Sequence, residues 1–384
     1  KLNPAAHLCF YGLYAPMNEG FLRKLGADTS LGGEFEEGLV SLFRRIRTDK
    51  NESNQRSQLE PLISLAKQKF LVPDRSDLFP LVSYAQVDLG NGERRIVGYT
   101  EASRGCKHLC RHCPIVPVYN GQFRIVQRDV VLEDIRQQVA AGAEHITFGD
   151  PDFFNGISHA LALVKSLHKA YPDLTYDVTI KVEHLLKYAQ YLATLRETGC
   201  LFVTSAVESV NDRILSLLDK GHTRNDFIEV VKLFKAVGLV LNPTFVTFTP
   251  WISLEGYQEL LSLLVELDLI DHVSPIQLAI RLLIPAGSRL LEVPEVQEIV
   301  DDFDETILGY RWSHPDPRVD RLYEEVQELV KSGEANGDSR REIFSKVWMA
   351  AQKAAKGSVR PMPAMMIDSL PRAPIPYLTE PWYC

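Results

Sequence analysis

Long apolar runs are missing from this chain. Its 384 residues have a mean hydropathy of −0.09, and no stretch approaches the ~20 apolar residues that a membrane helix requires. A basic excess is missing too: 42 Lys and Arg stand against 50 Asp and Glu, giving a net charge of −8 and a pI of about 5.8. Proteins that coat nucleic acid are normally basic, so the charge argues against a nucleic-acid partner. Cysteine is scarce, with six in all, and a chain this long needs no disulfide staples. No charged-then-apolar leader with a small-residue cleavage site opens the sequence, so nothing points to secretion. These absences predict a soluble, cytoplasmic protein with no membrane partner. What remains is globular: 45% hydrophobic, 24% charged and 9% aromatic residues exclude a disordered or collagen-like chain. At roughly 100–200 residues per domain, two or three structural units are expected.

The N-terminal pattern is half of a doubly wound α/β unit. His7 to Ala15 reads as a buried strand, Glu19 to Leu25 as a short helix, Ser30 to Glu34 as a strand end, and Glu36 to Arg47 as a helix. The polar run Arg47 to Gln58 marks a boundary. From about Arg94 the pattern is regular. Strand-like runs at Arg95–Thr100, His145–Phe148, Tyr176–Lys181, Leu201–Ala206, Leu241–Thr247 and Gln277–Leu283 alternate with helical patterns. Among the latter are Val130–Ala141, Ile157–Ala170, His184–Glu197 and Leu254–Leu267. Such βα repetition makes parallel strands with right-handed crossovers. Six units make a partial (βα)6 barrel, with an open doubly wound sheet as the alternative. After about Leu291 the repeat stops. Helices at Asp320–Lys331 and Arg341–Ala355 flank a polar loop, Ser332 to Ser339. A proline-rich tail then runs to Cys384. The expected organisation is a partial Rossmann-like α/β unit (1–58), an approach segment (59–93), the barrel (94–290), a mainly helical region (291–359) and an extended tail (360–384).

The most informative motif is Cys106-Lys-His-Leu-Cys110-Arg-His-Cys113, directly after the first barrel strand. Three thiolates at this spacing can hold three irons of a [4Fe–4S] cluster and leave the fourth open. They can equally hold a structural zinc, with His108 or His112 as fourth ligand. A loop after strand one would sit at the C-terminal mouth of the barrel, where sites on this architecture lie. Cys9 and Cys200 stand in apolar strand contexts and read as buried, inert thiols. His184, His222 and His272 are isolated in sequence and read as structural or solvated. Asn211 reads as a helix start.

Cys-x3-Cys-x2-Cys in this setting resembles the radical SAM superfamily, over about Tyr99 to Ile284. The resemblance implies a [4Fe–4S] cluster whose open iron chelates the amino and carboxylate groups of S-adenosylmethionine (SAM). It also implies reductive cleavage of a C–S bond, usually giving a 5′-deoxyadenosyl radical, with an electron donor such as a flavodoxin or ferredoxin. Gly149-Asp150-Pro151-Asp152 stands where the family has a Gly-Gly-Glu-like turn, so Asp150 is implied as acceptor for the methionine amino group. Lys181 and Glu183 after strand three, and Ser205 and Glu208 after strand four, are implied for the ribose hydroxyls and the carboxylate. Arg281 on strand six would neutralise a carboxylate, and His112 would touch adenine. Each residue taken singly reads as well as a salt bridge or a helix cap; their joint placement at one rim carries the assignment.

The tail Ile375-Pro-Tyr-Leu-Thr-Glu-Pro-Trp-Tyr-Cys384, with Gly149-Asp-Pro-Asp-Phe-Phe154 and Gly32-Gly-Glu-Phe-Glu36, resembles the CUAEP/CCAEP-tail radical SAM proteins. The N-terminal unit resembles the cobalamin-binding domain of other radical SAM enzymes, but the cobalt-ligating Asp-x-His-x-x-Gly does not occur, so no cobalamin is expected. By analogy with a cysteine-tail group of arsinothricin biosynthesis, the expected reaction moves the 3-amino-3-carboxypropyl group of SAM to a thiol-bound or metalloid acceptor. Cys384 and Glu208 are the candidate catalytic residues. Hydrogen abstraction from a small molecule or peptide is the alternative, a methylthiotransferase-like action on RNA is disfavoured by the acidic charge, and a zinc-binding interaction protein is the reading from another class.

Overall fold

A computed structural model describes residues 3, 6–48, 60–355 and 375–379. Two compact units emerge: Lys1–Phe70 with Gly105–Arg124 and Leu283–Arg311, and Leu71–Arg104 with Ile125–Leu282 and Trp312–Cys384.

In the first unit, strands β1 (Cys9–Tyr11), β2 (Thr29–Gly33) and β3 (Ile63–Ser64) form a parallel sheet in that order. Helices α1 (Glu19–Lys24) and α2 (Glu36–Thr48) accompany them. Helix α2 opens on Glu36 and Glu37 and closes on Arg45 and Arg47, which complements its dipole. Strand β2 is buried at every position, and Gly33 is forced: φ is +70° and a Cβ would strike the Ser64 carbonyl oxygen. The first strand is much shorter than His7 to Ala15, because Gly12 at φ +106° turns the chain out. Short strands at Ile284–Pro285, Gly309–Trp312 and Val300–Asp304 form a further sheet, so the region after Leu291 is not purely helical.

The second unit is built on a seven-stranded sheet. Its strands are β4 (Gln86–Asp88), β5 (Arg94–Thr100), β6 (His145–Phe148), β7 (Thr175–Thr179), β8 (Cys200–Glu208), β9 (Val240–Phe245) and β10 (Tyr377–Leu378), in the order β9-β8-β7-β6-β5-β4-β10. Strands β5 to β9 are parallel, as the βα repetition predicts, and α3 (Arg128–Ala140), α4 (Ile157–Ala170), α5 (Val182–Lys187), α6 (Leu192–Glu197), α7 (Asp212–Leu217) and α8 (Arg224–Val237) lie in their crossovers. Helix α9 (Leu254–Glu266) follows β9, and α10 (Pro317–Asn336) and α11 (Arg340–Ala354) follow later. Strand β4 is antiparallel to β5, and β10 antiparallel to β4, so β10 runs in the direction of the parallel set. The sheet curls until its edges approach: Asn242 on β9 donates to the carbonyl of Pro376, just before β10. This is the partial barrel.

Alternation sorts the strand residues. Ile146, Phe148, Tyr176, Val178 and Val203 are all within 1% of full burial, and Tyr176 donates to the Leu195 carbonyl of α6, which marks this as the helix-facing side. The opposite face combines an apolar cluster, Val87, Val97 and Phe202, with a polar one in which His145 and Thr147 hydrogen-bond to Asp177. The sixth strand is reduced to one parallel bridge, Phe248 to Arg281, because Pro275–Leu278 takes a 3-10 turn. The stretch His184–Glu197 divides into α5 and α6, and α10 extends through most of the predicted Ser332–Ser339 loop until Gly337 caps it at φ +75°.

Candidate functional site

The three-cysteine loop lies in the first unit. Cys110 is buried and Cys106 and Cys113 half-buried. The backbone folds on itself through Cys113 N–H to Cys110 O (3.2 Å) and Val116 N–H to Cys113 O (3.3 Å), leading into the short helix Val116–Tyr119. Several ties hold it. Ser288 Oγ donates to Arg111 O (3.1 Å), and the Tyr119 hydroxyl donates to Glu34 Oε1 (3.1 Å). Glu34 is 1% exposed and also accepts from the Gln68 amide (2.9 Å). Arg124 donates to the Leu65 carbonyl. Gly105, at φ +73°, has no room for a Cβ against the Tyr119 ring. A pinned loop with three soft sulfur donors fits an iron–sulfur cluster. His112 is part of the same loop.

In the second unit the polar residues collect at the C-terminal ends of the parallel strands, where ligands bind on such sheets. Asp150 follows β6 and is 1% exposed. Its Oδ2 accepts from Ala102 N–H (2.8 Å) and its Oδ1 lies 2.5 Å from Ser103 Oγ. Burial pushes its pKa up to about 7 against those hydrogen bonds. Asp150 thus ties the β5–β6 rim together, and Pro151 beside it is half-buried. Gly149 is required here because the Tyr99 hydroxyl fills the space a Cβ would need. Asp152 caps the turn Phe153–Gly156 through Phe154 N–H, and its Oδ2 lies 2.7 Å from His184 Nδ1. His184 is therefore not isolated.

The next group forms around β7 and β8. Lys181 Nζ lies 3.3 Å from Glu183 Oε2, and Lys220 Nζ lies 3.2 Å from Glu208 Oε1. Gly221 lies against Glu183 and Lys181 together: a Cβ there would be 2.8 Å from Glu183 Oε2 and 3.5 Å from Lys181 Nζ. Glu208 has φ +67° at a register break in β8, a strained position that turns its side chain toward Lys220. His222 completes the group. Burial, with Lys220 and Lys181 close by, lowers its pKa to about 4, so the ring is neutral. Neither ring nitrogen of His222 has a hydrogen-bond partner among the described residues. Lys220 and His222 carried no signal by spacing alone, since they come together with Lys181 only through the fold.

Ser205 and Arg281 have different surroundings. Ser205 shares the helix-facing side of β8 with Val203 and Val207, all fully buried, while its neighbours Thr204 and Ala206 on the other face are half-buried. Arg281 donates to Asp320 Oδ1 (2.8 Å) and Trp312 O (2.7 Å), and its guanidinium sits 3.6 Å from the Trp312 ring centroid. These contacts staple α10 to the sheet. Cys384 lies outside the described residues. Cys200 is buried, with its thiol pKa pushed up by burial, whereas Cys9 is only half-buried.

Comparison with known proteins returns one consistent answer. The Radical SAM superfamily matches residues 100–264. A tRNA-2-methylthio-N(6)-dimethylallyladenosine synthase of Geobacter sulfurreducens is 22% identical over 214 residues, 52% of this chain and 45% of that protein. A putative methylthiotransferase of Methanocaldococcus jannaschii is 23% identical over 254 residues, 62% and 53%. The chain thus spans about half the length of the curated relatives it matches. Among solved structures, the apo form of the cobalamin-dependent S-adenosylmethionine radical enzyme OxsB superposes with a TM-score of 0.64 at 14% identity, over 91% of this chain and 63% of that one. The radical S-adenosylmethionine methyltransferase TsrM from Kitasatospora setae gives 0.58 at 17%, over 76% and 58%. At these identities the superpositions speak for the fold alone.

Proposed function

From the premise that this chain is a radical SAM superfamily enzyme, we propose that it cleaves SAM reductively and transfers the 3-amino-3-carboxypropyl group to an acceptor held by a thiol. Cys106, Cys110 and Cys113 would hold a [4Fe–4S] cluster, which when bound supplies one electron to the sulfonium of SAM. An external reductant of flavodoxin or ferredoxin type would reload it. The superfamily match sets aside the zinc-binding interaction protein.

The observation that carries the SAM-binding part is the pair of ammonium groups at one rim. The side chains of Lys181 and Lys220 are 9% and 4% exposed, and that of Glu208, beside Lys220, is 7% exposed. Ammonium groups held in place at the strand ends, Lys181 beside Glu183 and Lys220 beside Glu208, are suited to receive the SAM carboxylate. Glu183, with its side chain 43% exposed, remains reachable for ribose hydroxyls. His222, neutral and buried, can donate or accept one hydrogen bond without adding charge. Asp150 positions the turn, and His112 is the candidate for adenine contact.

Cobalamin stands in the names of several solved neighbours. At the C-terminal end of β2 in this chain, the Tyr119 hydroxyl and the Gln68 amide both donate to Glu34.

The test is single-turnover product analysis after anaerobic reconstitution with iron and sulfide, with dithionite, SAM and arsenite or a small thiol. Methylthioadenosine formation that is lost in Cys384→Ser supports transfer to a thiol-held acceptor. 5′-Deoxyadenosine in its place, or full turnover by Cys384→Ser, overturns it.

A further inference from the structure

Buried polar side chains are almost always hydrogen-bonded, and one that is not calls for a reason. The His222 ring is such a case. The residue is 7% exposed, and neither Nδ1 nor Nε2 has a hydrogen-bond partner among the described residues. The Lys220 backbone comes near the ring, but without hydrogen-bond geometry. Leaving an imidazole in this condition is costly, and a ligand that bonds to it removes the penalty.

The turn that carries His222 is fixed at both ends. Helix α7 starts on its Asn211 cap, and after it Lys220 N–H donates back to Leu215 O (3.0 Å). Asp219 (φ +56°) and Gly221 (φ +70°) both take the left-handed conformation, which bends the chain sharply on each side of Lys220. Beyond the turn, Arg224 N–H donates to Asp212 Oδ1 (2.7 Å), and Thr223 with Asp226 forms a reciprocal cap on α8. A residue held in this way loses little freedom when a ligand arrives.

The chemistry of this corner restricts what it can take. Burial, with the Lys220 and Lys181 ammonium groups close by, keeps the ring neutral, so it offers one N–H donor and one acceptor nitrogen. The same two ammonium groups repel a metal ion. A carboxylate, phosphate or carbonyl would use the N–H alone. A hydroxyl can meet either nitrogen, because it both accepts and donates. At the preceding residue stands a group that only accepts: Gly221 lies against the Glu183 carboxylate, so close that a Cβ there would be 2.8 Å from Oε2. Glu183 is partly open to solvent, its side chain 43% exposed. One group that only accepts and one that does both, with a glycine between them, match two hydroxyls on neighbouring carbons.

We propose that His222 and Glu183 clamp a vicinal diol, the 2′- and 3′-hydroxyls of the SAM ribose, with Gly221 leaving room for the sugar. The clamp rests on the SAM-binding reading above and deepens it: Lys181 and Lys220 receive the carboxylate end of SAM, and His222 and Glu183 read the sugar. His222 is then a specificity-determining residue, since an analogue lacking its hydroxyl leaves a buried imidazole unpaired. Which C–S bond breaks does not matter here, because the diol is bound before cleavage.

The test measures binding of SAM, 2′-deoxy-SAM and 3′-deoxy-SAM to the anaerobically reconstituted protein by equilibrium dialysis. Wild type should bind SAM about tenfold more tightly than either analogue. His222→Phe should bind SAM about tenfold more weakly, lose the gap to one analogue and keep the gap to the other, which Glu183→Ala should lose instead. His222→Leu gives the same comparison with a smaller side chain, and His222→Gln, which keeps a donor and an acceptor, should recover part of the affinity. The melting temperature of the protein without SAM separates a clamp from a structural histidine. Replacing an unpaired buried ring by an apolar group should not lower it in at least one of the two apolar variants, although both bind SAM more weakly. Full SAM affinity in the apolar variants, or wild-type gaps to both analogues, overturns the clamp and leaves the SAM site standing. A wild type that binds no SAM overturns the SAM-binding reading and the clamp together.

Discussion

Lys220 and Glu208 face each other at 3.2 Å with side chains 4% and 7% exposed. Removing one partner leaves the other charge stranded, at about 3–5 kcal/mol, whereas replacing both by apolar or neutral groups of similar shape is close to neutral. Lys220→Met alone should therefore lower the melting temperature sharply, and Lys220→Met with Glu208→Gln should restore most of it. SAM affinity, measured by equilibrium dialysis, should stay weakened in the double variant. Recovery of both stability and affinity would mean that the pair is structural only.

The cysteines divide into two classes. Cys106→Ala, Cys110→Ala and Cys113→Ala should each abolish iron binding and SAM cleavage after anaerobic reconstitution. Cys200→Ala should keep both and lose about 1–3 kcal/mol, since the thiol is buried on β8 and behaves as a small apolar group. Loss of iron in Cys200→Ala, measured by a colorimetric iron assay, would contradict this division.

Asp150 makes the stability depend on pH. Its carboxyl, about 7 when folded against 3.8 ordinarily, binds a proton more readily in the folded state. Its contribution is complete below about pH 4 and is lost as the pH rises through 7, at most about 4 kcal/mol in all. His222 acts in the opposite sense: lowered to about 4 from 6.5, it withdraws stability as the pH falls through that range. Asp150→Asn mimics the protonated acid, with its amide able to donate to Ser103 Oγ. Urea titrations from pH 5 to 8.5 should show wild type losing stability toward the alkaline end and the variant holding level. An unchanged slope in Asp150→Asn would refute the assignment.

Arg281 offers a negative control for SAM binding. Stacked on Trp312 and paired with Asp320, it should cost about 2 kcal/mol or more when replaced by Ala, with SAM affinity unchanged. Arg281→Lys should recover little, because an ammonium cannot stack and bridge together. A variant that melts normally but binds SAM poorly would return Arg281 to the ligand site.

Much of this arrangement was legible before any coordinates. The βα repetition gave the parallel sheet because its strands are short apolar runs buried on the helix side, as at Ile146 and Val203. The Cys106–Cys113 spacing is local and needs no tertiary information. What sequence could not give was orientation. Ser205 is one residue away from the half-buried face of β8, and a period of two decides its direction. Arg281 depends on Trp312 and Asp320, some 30 and 40 residues later. Lys220 and His222 follow a helix start that Asn211 announces, and the αL turn at Asp219 and Gly221 brings them back toward Lys181. Strand β10 escaped notice because two residues in a proline-rich tail carry no periodicity.

The most direct test of the central claim is electron paramagnetic resonance of the anaerobically reconstituted, dithionite-reduced protein before and after SAM is added. The account predicts the signal of a reduced [4Fe–4S] cluster that changes when SAM reaches the open iron and that disappears in Cys110→Ala. A protein that takes up zinc, gives no such signal and leaves SAM intact would contradict it.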